Sequence, residues 1–144
     1  MLLFAVDLDN TLLFSYKKYA NGICVERKND KALSYMTPKS YELLKEVAQK
    51  VWLMPITTRS LAQYQRITLF DTQAPPIALC ANGAICLKNG AIDESWQQET
   101  EALIAPSGDE LEKALYLLTH DQAITLQPSF IDSAFVYAKS QNIA

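Results

Sequence analysis

Three short runs of apolar residues punctuate the first part of the chain. They span residues 2–8, 51–56 and 77–81, and each is nearly continuous in apolar residues rather than alternating with polar ones. This pattern is typical of strands that are buried on both faces of a sheet. Helical segments lie between the runs, and strands that alternate with helices form parallel sheets with right-handed crossovers. The sequence therefore predicts an α/β fold with a doubly wound parallel sheet.

Capping residues predict where two of the helices begin. Thr37 followed by Pro38 provides an N-cap hydroxyl and a proline at the first helical position. Behind them, apolar residues recur at the spacing that gives a helix one apolar face. Ser60 is the predicted N-cap of a second helix, which we expect to extend to about residue 69.

Asn-Gly pairs mark several turns. Asn21-Gly22 comes just before residues 23–25, which we predict to be one arm of a hairpin. Asn82-Gly83 and Asn89-Gly90 flank residues 84–88, so a short β-ribbon is expected there.

The character of the sequence changes after this ribbon. We therefore place a domain boundary between residues 1–88 and residues 89–144. In the second part, Ser107 and Glu110 have the spacing of a capping box at the start of a helix. Residues 129–138 are rich in aromatic and β-branched residues and are predicted to be a strand.

Composition narrows the class of protein. The 144 residues carry 49% hydrophobic and 20% charged residues and a net charge of −3, which gives no case for nucleic-acid binding. No apolar run is long enough to span a membrane, and no targeting segment is present, so we expect a cytoplasmic protein. Whether it forms a homo-oligomer is left open. The odd number of cysteines argues against a disulfide framework, and their spacing fits no zinc pattern, so we expect core residues; they are Cys24, Cys80 and Cys86.

Two carboxylates close the first apolar run. Asp7 and Asp9 lie where a ligand binds in a doubly wound sheet, at the carboxyl end of a strand. Two carboxylates this close repel each other, and a divalent cation relieves the repulsion. Oxygen-rich sites of this kind suit Mg²⁺, which keeps several waters and contacts substrate phosphate. We expect both aspartates to be magnesium ligands.

Asp7, Asp9 and Thr11 form a DxDxT motif with two apolar residues behind it. After an apolar strand, this motif resembles the first motif of the haloacid-dehalogenase (HAD) superfamily. The resemblance implies that Asp7 attacks phosphorus and forms an aspartyl-phosphate, that Asp9 is a general acid and base, and that Thr11 contacts substrate. Many members have glycine where this chain has Asn10, and asparagine tolerates the same left-handed backbone.

Further resemblances follow the next two strands. Thr57 matches the Ser or Thr that ends the second core strand and donates to a phosphoryl oxygen, with Thr58 as the competing candidate. The run through Arg59 is similar to the Ala-Thr-Gly-Arg of members with a large cap of the second type (C2). Arg59 either holds an anionic substrate group or lies in solvent at a helix start, and both interpretations stay open. Asn82-Gly83 also resembles the capped members, in which the Asn lies near the substrate entrance.

Two family motifs are not found in the chain. They are a phosphate-facing lysine and a later acidic segment that completes the magnesium site, and both follow the cap in capped members. Gly108-Asp109 is a superficial match that fits a helix start better. We therefore expect the N-terminal half of a HAD-like core, followed by the start of an α/β cap in which the chain stops. With so few ligands, the 144 residues alone are expected to have little phosphatase activity and weak Mg²⁺ affinity.

The resemblance implies a Mg²⁺-dependent phosphatase in the complete protein, acting on a small phosphorylated metabolite such as a sugar phosphate. A phosphomutase of the same superfamily is the second enzymatic interpretation. A non-catalytic remnant that binds metal or phosphate, or pairs with another chain, is the interpretation from another class. The sequence does not identify the substrate.

Overall fold

The computed structural model describes residues 2–71 and 74–140, and the chain divides into two compact units between Asp93 and Glu94. The strands are β1 Leu3–Asp7, β2 Phe14–Ser15, β3 Ile23–Lys28, β4 Lys31–Met36, β5 Trp52–Ile56, β6 Ile77–Cys80, β7 Ile85–Lys88, β8 Ala91–Ile92, β9 Ile124–Ile131 and β10 Phe135–Ser140. The α-helices are α1 Pro38–Ala48, α2 Leu61–Tyr64, α3 Glu94–Ile104 and α4 Gly108–Thr119. Short 3₁₀ turns span Thr68–Phe70, Ala81–Gly83 and Ala105–Ser107.

The larger sheet of the first unit is mixed. Its strand order is β1-β5-β6-β7-β8, with β1, β5 and β6 parallel and β7 and β8 antiparallel to their neighbours. The prediction of three adjacent parallel strands is confirmed, and so is the β-ribbon that continues from β6 into β7. Asp7 is in register with Ile56, and Ile56 with Leu79, so the three parallel strands end at the same edge.

Burial of the first strand differs from the prediction. β1 is the outermost strand of this sheet, and only Val6 on it is buried. Leu3 and Phe4 are 47% and 45% exposed. The expectation that both faces of β1 are covered is therefore wrong, because the face that carries Leu3, Ala5 and Asp7 is exposed. The continuous apolar run that is typical of a strand covered on both faces therefore occurs here in an edge strand.

Residues between β1 and α1 form a small antiparallel sheet of order β2-β4-β3. Residues 23–25 do lie in one arm of its hairpin, as predicted. The connecting turn is not at Asn21-Gly22, however, but at Asn29 and Asp30, which adopt φ values of 48° and 61°. Two successive left-handed residues give the turn whose twist matches a two-residue hairpin, and Asn and Asp tolerate that conformation.

Both predicted N-caps of the first unit are confirmed. Thr37 accepts a hydrogen bond from the backbone of Ser40 at the start of α1. Ser60 and Gln63 form a reciprocal capping box at α2. The second helix is shorter than predicted, since α2 ends at Tyr64. The chain then becomes extended at Ile67, which is 3% exposed and bridges Glu26 on β3.

The core of the first unit lies between the larger sheet, the small antiparallel sheet and the helices. Its buried members come from all of these elements: Val6, Leu8, Leu13, Val25, Met36, Leu44, Leu53, Tyr64, Ile67, Ala78, Cys80 and Leu87. Cys80 and Cys86 are buried, as expected of core cysteines, whereas Cys24 is only partly buried.

The second unit consists of α3, α4 and the hairpin β9-β10. The helix α3 was not predicted, and two other expectations are wrong. Ser107 makes no side-chain cap to α4, because a 3₁₀ turn leads into the helix and leaves Ser107 with ψ of 11°. The segment 129–138 is not one strand, because Asp132 and Ser133 adopt left-handed φ values and reverse the chain. Throughout the described part of the chain, no helix has the length and apolarity needed to cross a membrane.

Candidate active site

The DxDxT segment is a tight turn that holds Asp7 at the end of β1. The carbonyl of Leu8 accepts hydrogen bonds from the backbone N–H groups of Thr11, Leu12 and Leu13 at 3.3, 2.9 and 2.8 Å. Leu8 is completely buried. Asn10 has φ of 61°, which is the left-handed conformation expected at that position. The turn is therefore anchored by its apolar residues while its polar residues remain accessible.

Asp7 and Thr11 are in direct contact. The hydroxyl of Thr11 donates to Oδ2 of Asp7 at 3.0 Å, and Asp7 is exposed. This hydrogen bond orients the carboxylate. The motif threonine thus contacts the motif aspartate, and nothing in this geometry requires Thr11 to touch a ligand.

Thr57 follows β5 at the same edge of the sheet and is 3% exposed. Its N–H donates to the carbonyl of Leu79 at 2.9 Å, and its carbonyl accepts from Asn82 at 3.1 Å. Its hydroxyl oxygen accepts from the N–H of Arg59 at 3.2 Å. A hydroxyl that accepts in this way keeps its own proton to donate. The neighbouring Thr58 is exposed.

Asn82 and Gly83 lie in the 3₁₀ turn after β6. Ala81, Asn82 and Gly83 have φ values of 50°, 58° and 90°. Backbone of this kind costs free energy for Ala81, which the hydrogen bond from its N–H to the carbonyl of Arg59 at 2.8 Å offsets. The turn places the exposed Asn82 side chain beside the end of β5.

A pocket of about 430 Å³ opens at this edge of the sheet. Four of the predicted site residues line it, together with apolar residues of β1 and β5: Ala5, Val6, Asp7, Ile56, Thr57, Thr58 and Asn82. Asp9, Thr11, Arg59 and Gly83 are not among its lining residues. The structure therefore brings the predicted nucleophile and the predicted phosphate-binding hydroxyl to one cavity and places the remaining residues around it.

Arg59 binds Asp9. Its Nε and Nη2 donate to Oδ2 and Oδ1 of Asp9 at 2.7 and 2.8 Å, so the contact is bidentate. The Arg59 side chain is 11% exposed and that of Asp9 44% exposed. The interpretation that Arg59 lies in solvent is thus wrong. Its guanidinium group is directed to protein carboxylates, which are its partners in place of a substrate anion.

Glu26 is the second partner of Arg59, and sequence reasoning missed it. Nη1 of Arg59 lies 3.0 Å from Oε2 of Glu26, whose side chain is 3% exposed. Arg66 reaches Oε1 with Nε and Nη2 at 3.2 and 3.1 Å, and Ser34 donates to Oε2 at 2.5 Å. We call Asp9, Arg59, Glu26, Arg66 and Ser34 the buried ion network.

The network shifts the pKa values of Glu26 and Arg59. Burial raises the pKa of Glu26. The hydrogen bonds from Ser34, Arg59 and Arg66 and the positive charge of Arg59 outweigh burial and leave the pKa below its usual value. Burial disfavours the Arg59 cation as well, yet its hydrogen bonds to Asp9 and Glu26 raise the pKa of its guanidinium group. Both groups are therefore charged at neutral pH.

Lys18 was also missed as a site residue. Its ammonium group donates to Oδ1 of Asn10 at 2.7 Å, which places a cation beside the DxDxT turn. Lys88 pairs with Asp93 in the ribbon, at 2.5 Å.

The donor atoms at the turn suit Mg²⁺ only in part. Asp7 presents an exposed carboxylate, whereas both carboxylate oxygens of Asp9 accept hydrogen bonds from Arg59. The side chain of Asp9 therefore does not fit as a ligand, and its main-chain carbonyl is the oxygen left to serve beside Asp7. Within residues 2–71 and 74–140, no group of three or more His, Cys, Asp or Glu side chains is arranged to hold a metal ion.

Comparison with models of known protein families found no match, and comparison with curated proteins found none either.

Proposed function

We propose that this chain carries the nucleophile of a phosphomonoester hydrolase of the HAD type, with Asp7 as the attacking group. The observation that supports the proposal most is the shared pocket of Asp7 and Thr57, at the carboxyl ends of two adjacent parallel strands. A carboxylate beside a buried hydroxyl that retains a proton suits attack on a phosphoryl group.

Each residue has a distinct part in the first step. An oxygen of Asp7 attacks phosphorus, the bond to the leaving alkoxide breaks, and an aspartyl-phosphate forms. Thr11 holds the attacking carboxylate in place through its 3.0 Å hydrogen bond. The hydroxyl of Thr57 donates a hydrogen bond to a phosphoryl oxygen, and the exposed amide of Asn82 faces the same pocket. Mg²⁺ bound beside Asp7 would reduce the repulsion between this carboxylate and the incoming phosphate.

Asp9 is the proposed general base and general acid. In the second step its carboxylate accepts a proton from water, the water oxygen attacks phosphorus, and inorganic phosphate leaves Asp7. The 44% exposure of the Asp9 side chain lets water approach this carboxylate. In the first step the protonated Asp9 would supply the proton of the leaving group.

The proposed substrate is a small phosphorylated metabolite. The pocket of about 430 Å³ is large enough for a phosphoryl group with a small organic portion. A sugar phosphate is the class that the resemblance to capped members favours.

The test is chemical trapping of the aspartyl-phosphate on the 144-residue chain. Trapping detects a single phosphorylation of Asp7, so the little turnover and weak Mg²⁺ affinity expected of this chain do not prevent it. The protein is incubated with Mg²⁺ and acetyl phosphate, reduced with borohydride, and examined by mass spectrometry for homoserine at position 7. We expect homoserine at position 7 of the wild-type chain, which we call the label. Asp7→Asn keeps the shape of the side chain but removes the nucleophile, so it should carry no label. Asp109→Asn, in the first turn of α4, is the matched control and keeps the label.

Two results would contradict the proposal. One is label that persists in folded Asp7→Asn, and the other is a wild-type chain that takes no label at any Mg²⁺ concentration. The second result is what a non-catalytic phosphate-binding chain would give. A phosphomutase would instead pass the label to a second sugar hydroxyl, which chromatography of the products detects.

A further inference from the structure

Glu26 is a charged side chain placed where apolar residues usually lie. It is 3% exposed and neighbours the buried Val25 in β3. Transfer of a carboxylate out of water costs several kcal/mol, and well-packed apolar residues often replace buried ion pairs without loss of stability. A requirement beyond stability would explain why this position carries a charge.

Glu26 is connected to Asp9 through Arg59. Arg59 lies between the two carboxylates, with Nε and Nη2 on Asp9 and Nη1 on Glu26. Ser34 stands 3.5 Å from Nη2 and also donates to Glu26. A planar guanidinium group held on both sides has one orientation, and that orientation fixes the plane of the Asp9 carboxylate.

We propose that Glu26 is a positioning residue for the second step. It holds Arg59 in one orientation, and Arg59 in turn keeps the Asp9 carboxylate oriented to take a proton from the attacking water. This role rests on the proposed function, because it presupposes the aspartyl-phosphate at Asp7. Glu26 itself touches neither Asp7 nor the pocket, and it acts through Arg59.

The two steps respond differently to a loss of Asp9 orientation. Acetyl phosphate has a good leaving group that departs without a proton, so phosphorylation of Asp7 by this donor does not need Asp9. Hydrolysis of the aspartyl-phosphate does need a base at the water. The lifetime of the label therefore reports the positioning role, and the rate of labelling reports the nucleophile.

The experiment compares Glu26→Gln with Arg66→Gln on the full chain, after circular dichroism has shown that each variant is folded. Arg66 binds Oε1 of Glu26, whereas Arg59 contacts Oε2, so Arg66→Gln disturbs the same network and leaves the contact partner of Arg59 in place. After the acetyl phosphate is removed, samples are quenched at intervals and the remaining label is measured. We expect Glu26→Gln to lengthen the lifetime about tenfold or more, with labelling rates within about twofold of wild type. Arg66→Gln should lengthen the lifetime less than Glu26→Gln does, because Arg59 keeps its contacts with Asp9 and with Oε2 of Glu26.

A second variant covers the case in which Glu26→Gln does not fold. Arg59→Lys keeps the charge but loses the bidentate contact, and it should lengthen the lifetime as well. Glu26→Asp, which retains the carboxylate, should restore part of the wild-type rate of dephosphorylation.

The outcomes separate this inference from the proposed function. Normal labelling with an unchanged lifetime in folded Glu26→Gln or Arg59→Lys overturns the positioning role and leaves the proposed function standing. An equal lengthening in Arg66→Gln overturns it too, since the effect would then be one of general destabilisation. A wild-type chain without label overturns the proposed function and this role with it, before any variant is compared.

Discussion

The two units of the chain bury their apolar residues to very different extents. In the first unit, Leu8, Leu13 and Met36 are almost completely inaccessible. Among residues 94–140, the single buried residue is Pro128, and Leu103 and Leu117 are 79% and 59% exposed. The first unit has two sheets and helices around one core, whereas the second has a two-stranded hairpin and two helices. A hairpin has too few strands to bury much apolar surface, so similar apolar content produces a core only in the first unit.

The candidate site lies entirely in the unit with the core. Asp7 is the last residue of β1, Thr57 and Asn82 each follow a strand of the larger sheet, and Glu26 lies on the small sheet. Catalytic side chains need rigid supports, and strands that pack against a core provide them. We therefore expect the stability of the site, the pKa of Glu26 and the reactivity of Asp7 to depend on residues of the first unit.

Replacing one leucine in each unit should give the largest contrast. Leu53→Ala, in β5, removes a side chain that is 4% exposed and should lower the free energy of unfolding by about 2–5 kcal/mol. Leu103→Ala removes one that is 79% exposed and should change it by less than about 0.5 kcal/mol. Urea denaturation measures both. Equal effects would show that the two units do not differ in packing as described.

Acid should weaken the first unit through Glu26. Because the pKa of Glu26 is lowered in the folded chain, its contribution to stability is complete above the unfolded value near 4.5 and is lost as pH falls through the folded pKa. The slope from this one group is at most about 1.4 kcal/mol per pH unit. The difference in unfolding free energy between wild type and Glu26→Gln should thus shrink below that pH.

Glu42→Gln is the control for this measurement. Glu42 forms a surface pair with Lys45, and its side chain is 66% exposed. Surface pairs contribute little, so the curve of stability against pH should match wild type. A Glu26→Gln difference that is constant from neutral pH to pH 3 would contradict the lowered pKa.

The sequence was sufficient for the parts of the site that depend on strand order. Parallel strands end at a common edge, so Asp7 and Thr57 could be placed together from three apolar runs. Local hydrogen bonds were equally accessible, since Thr37 and Ser60 cap their helices through residues three positions away.

The buried ion network was not predictable in the same way. Strict alternation would not bury both Val25 and Glu26, and the structure buries both because the pairing register shifts between Cys24 and Glu26. A signal did exist at Asn29-Asp30, because a two-residue turn there pairs Lys28 with Lys31 and Arg27 with Ala32, as observed. Continued in that register, however, the hairpin would place Glu26 opposite Leu33, and only the shift between Glu26 and Arg27 brings it opposite Ser34. The contact of Glu26 with Arg59 has no such local signal, because only the tertiary fold brings these residues together.

Lys18 offers a smaller test of the first unit. Lys18→Gln removes the ammonium group next to Asn10 and should raise the acetyl phosphate concentration needed for half-maximal labelling about two- to fivefold. The effect should shrink at high salt, because exposed charges are screened. Lys17→Gln, at the neighbouring exposed lysine, should have no such effect. Equal changes in both variants would mean that net charge, not the position of Lys18, attracts the donor.

The smallest effect is expected when the second unit is removed. A chain that ends at Asp93 keeps both strands of the ribbon, the hydrogen bond from the N–H of Asp93 to the carbonyl of Cys86 at 2.9 Å and the Lys88–Asp93 ion pair. It also keeps every member of the core cluster and of the buried ion network. Since a unit with its own core folds as one body, we expect the labelling rate of Asp7 and the label lifetime to stay within about twofold of the 144-residue chain. Quenched labelling and thermal unfolding of the short chain measure this, with Asp7→Asn in the same short chain as the control. Loss of cooperative unfolding, or of label, would show that residues 94–144 support the first unit, and the contrast between the two units would no longer explain where the site lies.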